Sequence, residues 1–234
     1  MLRIARVLHS TTAEGPGLRT AVWVQGCSIR CTGCINPQLF SSRGGTQVEV
    51  KDLVRSIVEA GDEGLTVLGG EPFDQAEGLA ELAEAARAAH LGVMVFSGYT
   101  REHLEENAAA RRALAATDLL VDGPYRRDEP ETERRLVGSS NQVFHNLTDR
   151  YTNFDPAEGA NRVDVRLLAD GSLEVAGFMD AEKAALFREL LGLRRGVRSS
   201  PTYGVDPLKS DEKRAAMEIG AGQSVQVSLG AAGS

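Results

Sequence analysis

The chain has no apolar segment long enough to span a bilayer, and its first residues, Met1-Leu2-Arg3-Ile4-Ala5-Arg6, lack the apolar run of a signal peptide. It also has no surplus of positive charge: 26 Lys and Arg stand against 33 Asp and Glu, a net charge of −7. Nothing therefore steers it toward nucleic acid or an anionic membrane. These absences point to a cytoplasmic protein whose partners are proteins or small molecules, in a compartment where thiols stay reduced and serve metals or catalysis. Histidine is sparse as well, and none of His9, His90, His103 or His145 has a companion at metal-ligand spacing.

Cysteine is scarce too. The chain has three, Cys27, Cys31 and Cys34, and all lie in the stretch Gly26-Cys-Ser-Ile-Arg-Cys-Thr-Gly-Cys34. Thiolates this close converge on one soft metal centre once the loop curls, and three of them leave a coordination position open. Two blander readings stand beside this one. The cysteines are also compatible with small core hydrophobes, or with a zinc site completed by a histidine, although zinc ligands usually come as two short pairs. A spacing of three then two, with no fourth cysteine, suits an iron–sulfur cube with one iron free.

At 234 residues and 25.0 kDa, one main domain with appendages is the economical reading. Ile4–His9 reads as an edge segment, followed by a Gly15-Pro16-Gly17 turn and a first core strand over Thr20–Gln25. A helix over Lys51–Ala60 and a strand over Leu65–Leu68 follow. Asp74 and Glu77 resemble a capping box ahead of a helix from Gln75 to His90. A strand over Val93–Phe96, a helix from Arg101 to Ala116 capped by Thr100, and a strand over Leu119–Val121 complete the alternation. This is an α/β pattern with a parallel sheet and crossover helices. Past Asp122 the pattern loosens, and residues 125–135 read as a charged loop. Residues 163–167 and 173–176 alternate around Asp170-Gly171 as a hairpin, a helix runs from Asp180 to about Leu193, and the tail from Arg194 is expected to be disordered.

With the cysteine loop, five further stretches carry a resemblance: Gly15-Pro16-Gly17-Leu18-Arg19, Gly69-Gly70-Glu71-Pro72, Ser97-Gly98-Tyr99, Asp122-Gly123-Pro124-Tyr125 and Gly138-Ser139-Ser140-Asn141-Gln142. Together they resemble the radical S-adenosylmethionine superfamily and are similar to the activating enzymes of the anaerobic, glycyl-radical ribonucleotide reductase. The resemblance is dense over residues 1–150 and loose to about 195. It implies an open partial (β/α)6 barrel over 1–150, a hairpin-and-helix extension over 151–195, and a tail over 196–234.

The resemblance also implies cofactors and roles. Cys27, Cys31 and Cys34 hold a [4Fe–4S] cluster whose open iron binds S-adenosylmethionine, and reductive cleavage yields a 5′-deoxyadenosyl radical that takes hydrogen from a glycine of a partner glycyl-radical enzyme. An external flavodoxin- or ferredoxin-like protein supplies the electron. Gly69, Gly70, Glu71 and Pro72 serve the methionyl end of the cofactor, and Ser97, Tyr99, Asp122 and Asn141 make further contacts, with Asp122 toward the ribose. Gly33 stands where relatives often carry an aromatic residue against adenine, and Pro124 where these activases carry lysine. Arg19 is expected near a substrate entrance. The absence of further cysteines excludes an auxiliary cluster. The rivals are a stand-alone radical enzyme acting on a peptide or metabolite, and a non-catalytic zinc or iron–sulfur protein.

Overall fold

A computed structural model describes residues 1–168, 173–179, 189 and 225–228. Strand β1 (Leu2–Thr11) and strand β2 (Arg19–Val24) are joined by the Gly15-Pro16-Gly17 turn and pair antiparallel; β2 is buried along its whole length. The cysteine loop leaves the C-terminal end of β2, and a short strand β3 (Thr46–Val48) returns to pair with the start of β1. Helix α1 (Val50–Glu59) leads to strand β4 (Gly64–Gly69), helix α2 (Ala76–Ala88) to strand β5 (Gly92–Phe96), and helices α3 (Arg101–Leu104) and α4 (Ala108–Ala115) to strand β6 (Leu119–Asp122). Strand β7 (Val143–Asn146) closes a seven-stranded sheet of order β3-β1-β2-β4-β5-β6-β7.

The middle four strands, β2, β4, β5 and β6, are mutually parallel, as the alternation of strands and helices requires. The margins are antiparallel, with β1 on one side and β7 on the other. Neither β3 nor β7 was anticipated, because Thr46–Val48 is only three residues long and Val143–Asn146 lies half-exposed with no apolar run. The helix expected over Arg101–Ala116 is two: Asn107 breaks it and accepts the Ala109 and Ala110 N–H groups at 2.8 and 3.1 Å, which is an N-cap in mid-sequence. Asp74 is not a helix cap either. A 3₁₀ turn over Pro72–Gln75 stands there, capped by the Glu71 side chain.

The two faces of the sheet are covered differently. Helices α1, α2 and α4 bury Val22, Val24, Leu65, Val67, Val93, Val95 and Leu120 on the outer face. On the inner face, Ala21, Trp23 and Leu68 pack with Leu8 and Ala176, while Met94, Leu119 and Val121 pack with Leu136, Val137 and Phe178. Ala176 belongs to a second sheet of order β10-β8-β9, in which β8 (Arg162–Leu167) pairs antiparallel with β9 (Leu173–Gly177) and β10 (Val225–Ser228). The two strands expected to form a hairpin pair antiparallel. The expected turn at Asp170-Gly171, the helix after Asp180 and most of the tail lie outside the described residues; Val225–Ser228 is a strand.

Candidate functional site

Val24, Gly69, Phe96 and Asp122 end the four parallel strands on one rim, and the sequence motifs lie just beyond them. Connections after parallel strands leave from this rim, so residues distant in sequence meet there.

The cysteine loop is curled by left-handed residues at Gly26, Arg30 and Gly33, with φ of 101°, 53° and 82°. Its base is fixed by backbone bonds from Gly26 N to the Leu39 carbonyl at 2.9 Å and from Cys27 N to the Phe40 carbonyl at 3.3 Å. All three cysteines are free and half-buried. Burial pushes the thiols of Cys27 and Cys34 up; backbone N–H groups near Cys27, and the Asn36 N–H that donates to Cys34 Sγ at 3.4 Å, pull the other way. Among the described residues no three His, Cys, Asp or Glu side chains are gathered tightly enough to hold a single ion.

Gly69 and Gly70 run hard against the root of this loop. Gly70 N donates to the Val24 carbonyl and Glu71 N to the Gly26 carbonyl, at 2.9 and 2.8 Å. A Cβ on Gly70 would lie 2.0 Å from the Gly26 carbonyl oxygen, and one on Gly69, whose φ is +106°, would lie 2.7 Å from Trp23 Cα. Both glycines therefore allow strand end and loop to touch.

Glu71 is 1% exposed. Its carboxylate accepts bonds from Phe73 N at 3.0 Å, Ser97 Oγ at 2.9 Å and Gly98 N at 2.8 Å, so it ties the end of β4 to the end of β5. Burial raises its pKa to about 7, against the pull of the donors from Gly98, Phe73 and Ser97. Ser97 in turn accepts Tyr99 N at 3.1 Å. Pro72 is buried at the first turn of the 3₁₀ segment, where its missing N–H costs nothing.

Asp74 reaches back to the loop and accepts both the N–H and the hydroxyl of Ser28, while the Tyr99 hydroxyl lies 2.7 Å from Ser28 Oγ and 3.1 Å from Asp74 Oδ1. Ser28 carries no local sequence signal and Asp74 a misleading one, since an Asp three residues before a Glu reads locally as a cap.

The third group approaches from β6. Asp122 is 4% exposed; it accepts Arg101 N at 2.5 Å and lies 3.0 Å from His145 Nε2, a contact out of line for a hydrogen bond. Asn141 Nδ2 donates to the Pro124 carbonyl at 2.8 Å, and its Oδ1 is buried with no partner. Tyr125 stands at the cysteine loop: its ring lies 3.6 Å from where a Cβ on Gly33 would be and 3.1 Å from one on Gly138. Tyr125 and residues 126–128, with Thr32, line a cleft of about 520 Å³.

Arg19 is the exception. It begins β2, on the rim opposite the cysteines, fully buried, donating to the Pro16 carbonyl, Thr66 Oγ1 and Tyr151 OH at 2.8, 2.8 and 2.7 Å. Gly15 packs on it, with a Cβ there falling 2.7 Å from Arg19 Nη1. The Gly-Pro-Gly-Leu-Arg stretch thus builds the base of the sheet rather than the neighbourhood of the cysteine loop.

This donor set fits the pair of cofactors implied by the sequence. Three soft thiols occupy one loop, close-approach glycines lie at its root, and an unpartnered amide oxygen belongs to Asn141 on the neighbouring loop.

Comparison with known proteins follows the same lines. The family model described as a 4Fe-4S single cluster domain matches residues 13–145. The anaerobic ribonucleoside-triphosphate reductase-activating protein of Enterobacteria phage T4 is 29% identical over 151 residues, covering 62% of this chain and 94% of that protein. The protein of the same name from Pasteurella multocida is 28% identical over 144 residues, 58% of this chain and 91% of its own. The pyruvate formate-lyase-activating enzyme of Listeria monocytogenes is 30% identical over 160 residues, 63% of this chain and 64% of its own.

Proposed function

The chain belongs to the single-cluster 4Fe-4S family, among the radical S-adenosylmethionine activases of glycyl-radical enzymes, and on that premise we propose that it takes a hydrogen atom from a glycine Cα of a partner enzyme, an anaerobic ribonucleotide reductase in the first instance. A glycine suits because no side chain shields its Cα. The observation that carries the reading is the seating of the three-cysteine loop at the end of β2 with Gly69 and Gly70 against its root.

In this reading Cys27, Cys31 and Cys34 bind three irons and leave the fourth for S-adenosylmethionine. Such a cluster supplies one electron to the sulfonium of S-adenosylmethionine, which then splits into methionine and a 5′-deoxyadenosyl radical. The chain's own residues bind and orient. Gly69 and Gly70 let backbone approach the methionyl end. Glu71 acts mainly as a brace, since its carboxylate already accepts bonds from Phe73, Ser97 and Gly98. Asp74, Ser28 and Tyr99 hold the cysteine loop to the rim. Asp122 and Asn141 fix the loops that carry Tyr125, whose ring covers Gly33.

We read the seven-stranded sheet as an open partial barrel, helices outside and the β8–β9 hairpin against its inner face. Three free thiols suit a reducing compartment, and a net charge of −7 suits protein partners rather than nucleic acid; an external one-electron donor of the flavodoxin or ferredoxin kind belongs to the same proposal. Among the described residues no helix is long and apolar enough to cross a membrane.

The test is anaerobic reconstitution with iron and sulfide, then dithionite and S-adenosylmethionine. Wild type should release 5′-deoxyadenosine and Cys31→Ala should release none. A product-free protein that binds one zinc would end this reading.

A further inference from the structure

The outer face of the sheet is sealed by helices, so a partner segment has to approach the rim along the inner face. That face is already covered, and by this chain's own strand β9.

Among the described residues β9 is one of the two edge strands of its sheet, and its outer edge is read by two side chains of the N-terminal segment. Arg6 Nη1 donates to the Val175 carbonyl at 2.8 Å, and Glu14 Oε1 accepts Gly177 N at 2.6 Å. These backbone groups, two residues apart, lie on one edge of any extended strand, so the pair recognises strand geometry rather than a particular side chain. Among the described residues only the Arg6–Glu174 ion pair adds a charged side-chain requirement at this edge. Beneath the strand, Ala176 packs with Trp23 and Leu8, and the Phe178 ring lies 5.7 Å from that of Phe96. Trp23 and Phe96 end or nearly end their strands, a few residues before Cys27 and immediately before Ser97.

The cover is imperfectly fastened. Arg6 Nη2 and Glu14 Oε2, on the two side chains that hold β9, are buried without hydrogen-bond partners, and Glu14 is only 2% exposed. Each unmade bond of this kind costs free energy that a well-matched core does not incur. A covering strand held by backbone contacts over polar groups left partly unsatisfied can be exchanged for another extended strand.

Resting on the activase reading, we propose that Glu174–Phe178 is a self-bound cover: it occupies the seat of the partner's extended, glycine-bearing segment, and the partner must displace it. The cover itself places a small buried residue at Ala176, a glycine at 177 whose φ is +112°, and an aromatic ring at 178 against the inner face. Activity would then depend on the arrival of the partner, and the idle enzyme would shield its inner face.

The experiment uses the full, cluster-loaded chain and a synthetic peptide copying residues 173–179, with both glycine Cα hydrogens replaced by deuterium. Ala176→Asp puts a charge into the apolar contact and undocks the strand. Trp23, the sole tryptophan, reports undocking by a red shift of its emission, and amide exchange at Val175 and Gly177 should accelerate at least tenfold. The variant should bind the peptide at least tenfold more tightly than wild type and move deuterium into 5′-deoxyadenosine. Phe178→Asp, which acts from the other end of the contact, replaces the first variant should that one not fold. Faster exchange without tighter peptide binding would overturn the proposal, as would a variant with unchanged emission and exchange. Should neither protein release 5′-deoxyadenosine, the activase reading fails on its own, and the fluorescence titration still decides the seat.

Discussion

Asp74 accepts the backbone N–H of Ser28 at 2.7 Å and its hydroxyl at 2.8 Å, so one carboxylate on the β4 side clamps the residue that follows Cys27. The loop has few other such ties: beyond Cys27 its residues are half-buried or exposed, and Ile35 is 68% exposed.

Asp74→Ala should therefore loosen the cluster without unfolding the sheet. Supports just outside a metal's ligands typically change metal affinity ten- to a hundredfold. We expect iron to be lost to a chelator about tenfold faster than from wild type, with the urea midpoint nearly unchanged. Equal loss rates would show that the clamp is incidental.

Gly70→Ala forces a methyl to within 2.0 Å of the Gly26 carbonyl oxygen, where only backbone can yield. A cost of about 2–4 kcal/mol is expected, together with poor iron retention, because the cysteine loop must shift. Gly61→Ala is the control. Gly61 also has a positive φ, +73°, but no atom lies within 4 Å of its added Cβ, so roughly 1 kcal/mol of backbone strain is all that should appear in denaturant titrations.

Glu71 and Glu14 are both raised to about 7, chiefly by burial. A carboxyl with a higher pKa folded than unfolded binds its proton more tightly in the native state. The stability these two groups contribute is therefore fully present below about pH 4.5 and is lost as pH rises to about 7, after which they contribute no further change. Each accounts for at most roughly 3 kcal/mol. Urea titrations of wild type at pH 5 and pH 7.5 should show the fall, and Glu14→Gln should make it smaller. A flat profile in wild type would contradict the raised values.

Arg19 lies about five strand residues from the cysteine rim, roughly 17 Å. Arg19→Lys keeps the charge but cannot serve Pro16, Thr66 and Tyr151 with a fork of donors. The urea midpoint should drop by the equivalent of about 2–4 kcal/mol, while 5′-deoxyadenosine released per folded, cluster-loaded chain stays the same. A selective loss of product would return Arg19 to the reacting end.

The helices and parallel strands were legible because buried strands such as Thr20–Val24 and Val93–Phe96 are continuous apolar or β-branched runs, and because helix α2 keeps its apolar period. The misses share a cause. Asn107, Asp74 and Val143–Asn146 carry local signals that are weak or point elsewhere, and each is decided by a neighbour distant in sequence: Asp74 by Ser28, and β7 by the open edge of β6.

The chain's composition and spacing by themselves marked the cysteine loop, since three thiols within eight residues and no others suit a soft metal centre with an open position; the reaction served there came from the resemblance carried by that loop and five further stretches. Which carboxylates brace, which clamp the loop and which end of the sheet Arg19 occupies was decided only by the tertiary structure. The direction of a strand fixes which rim a residue occupies, and packing fixes whether a charged group meets solvent or a buried donor.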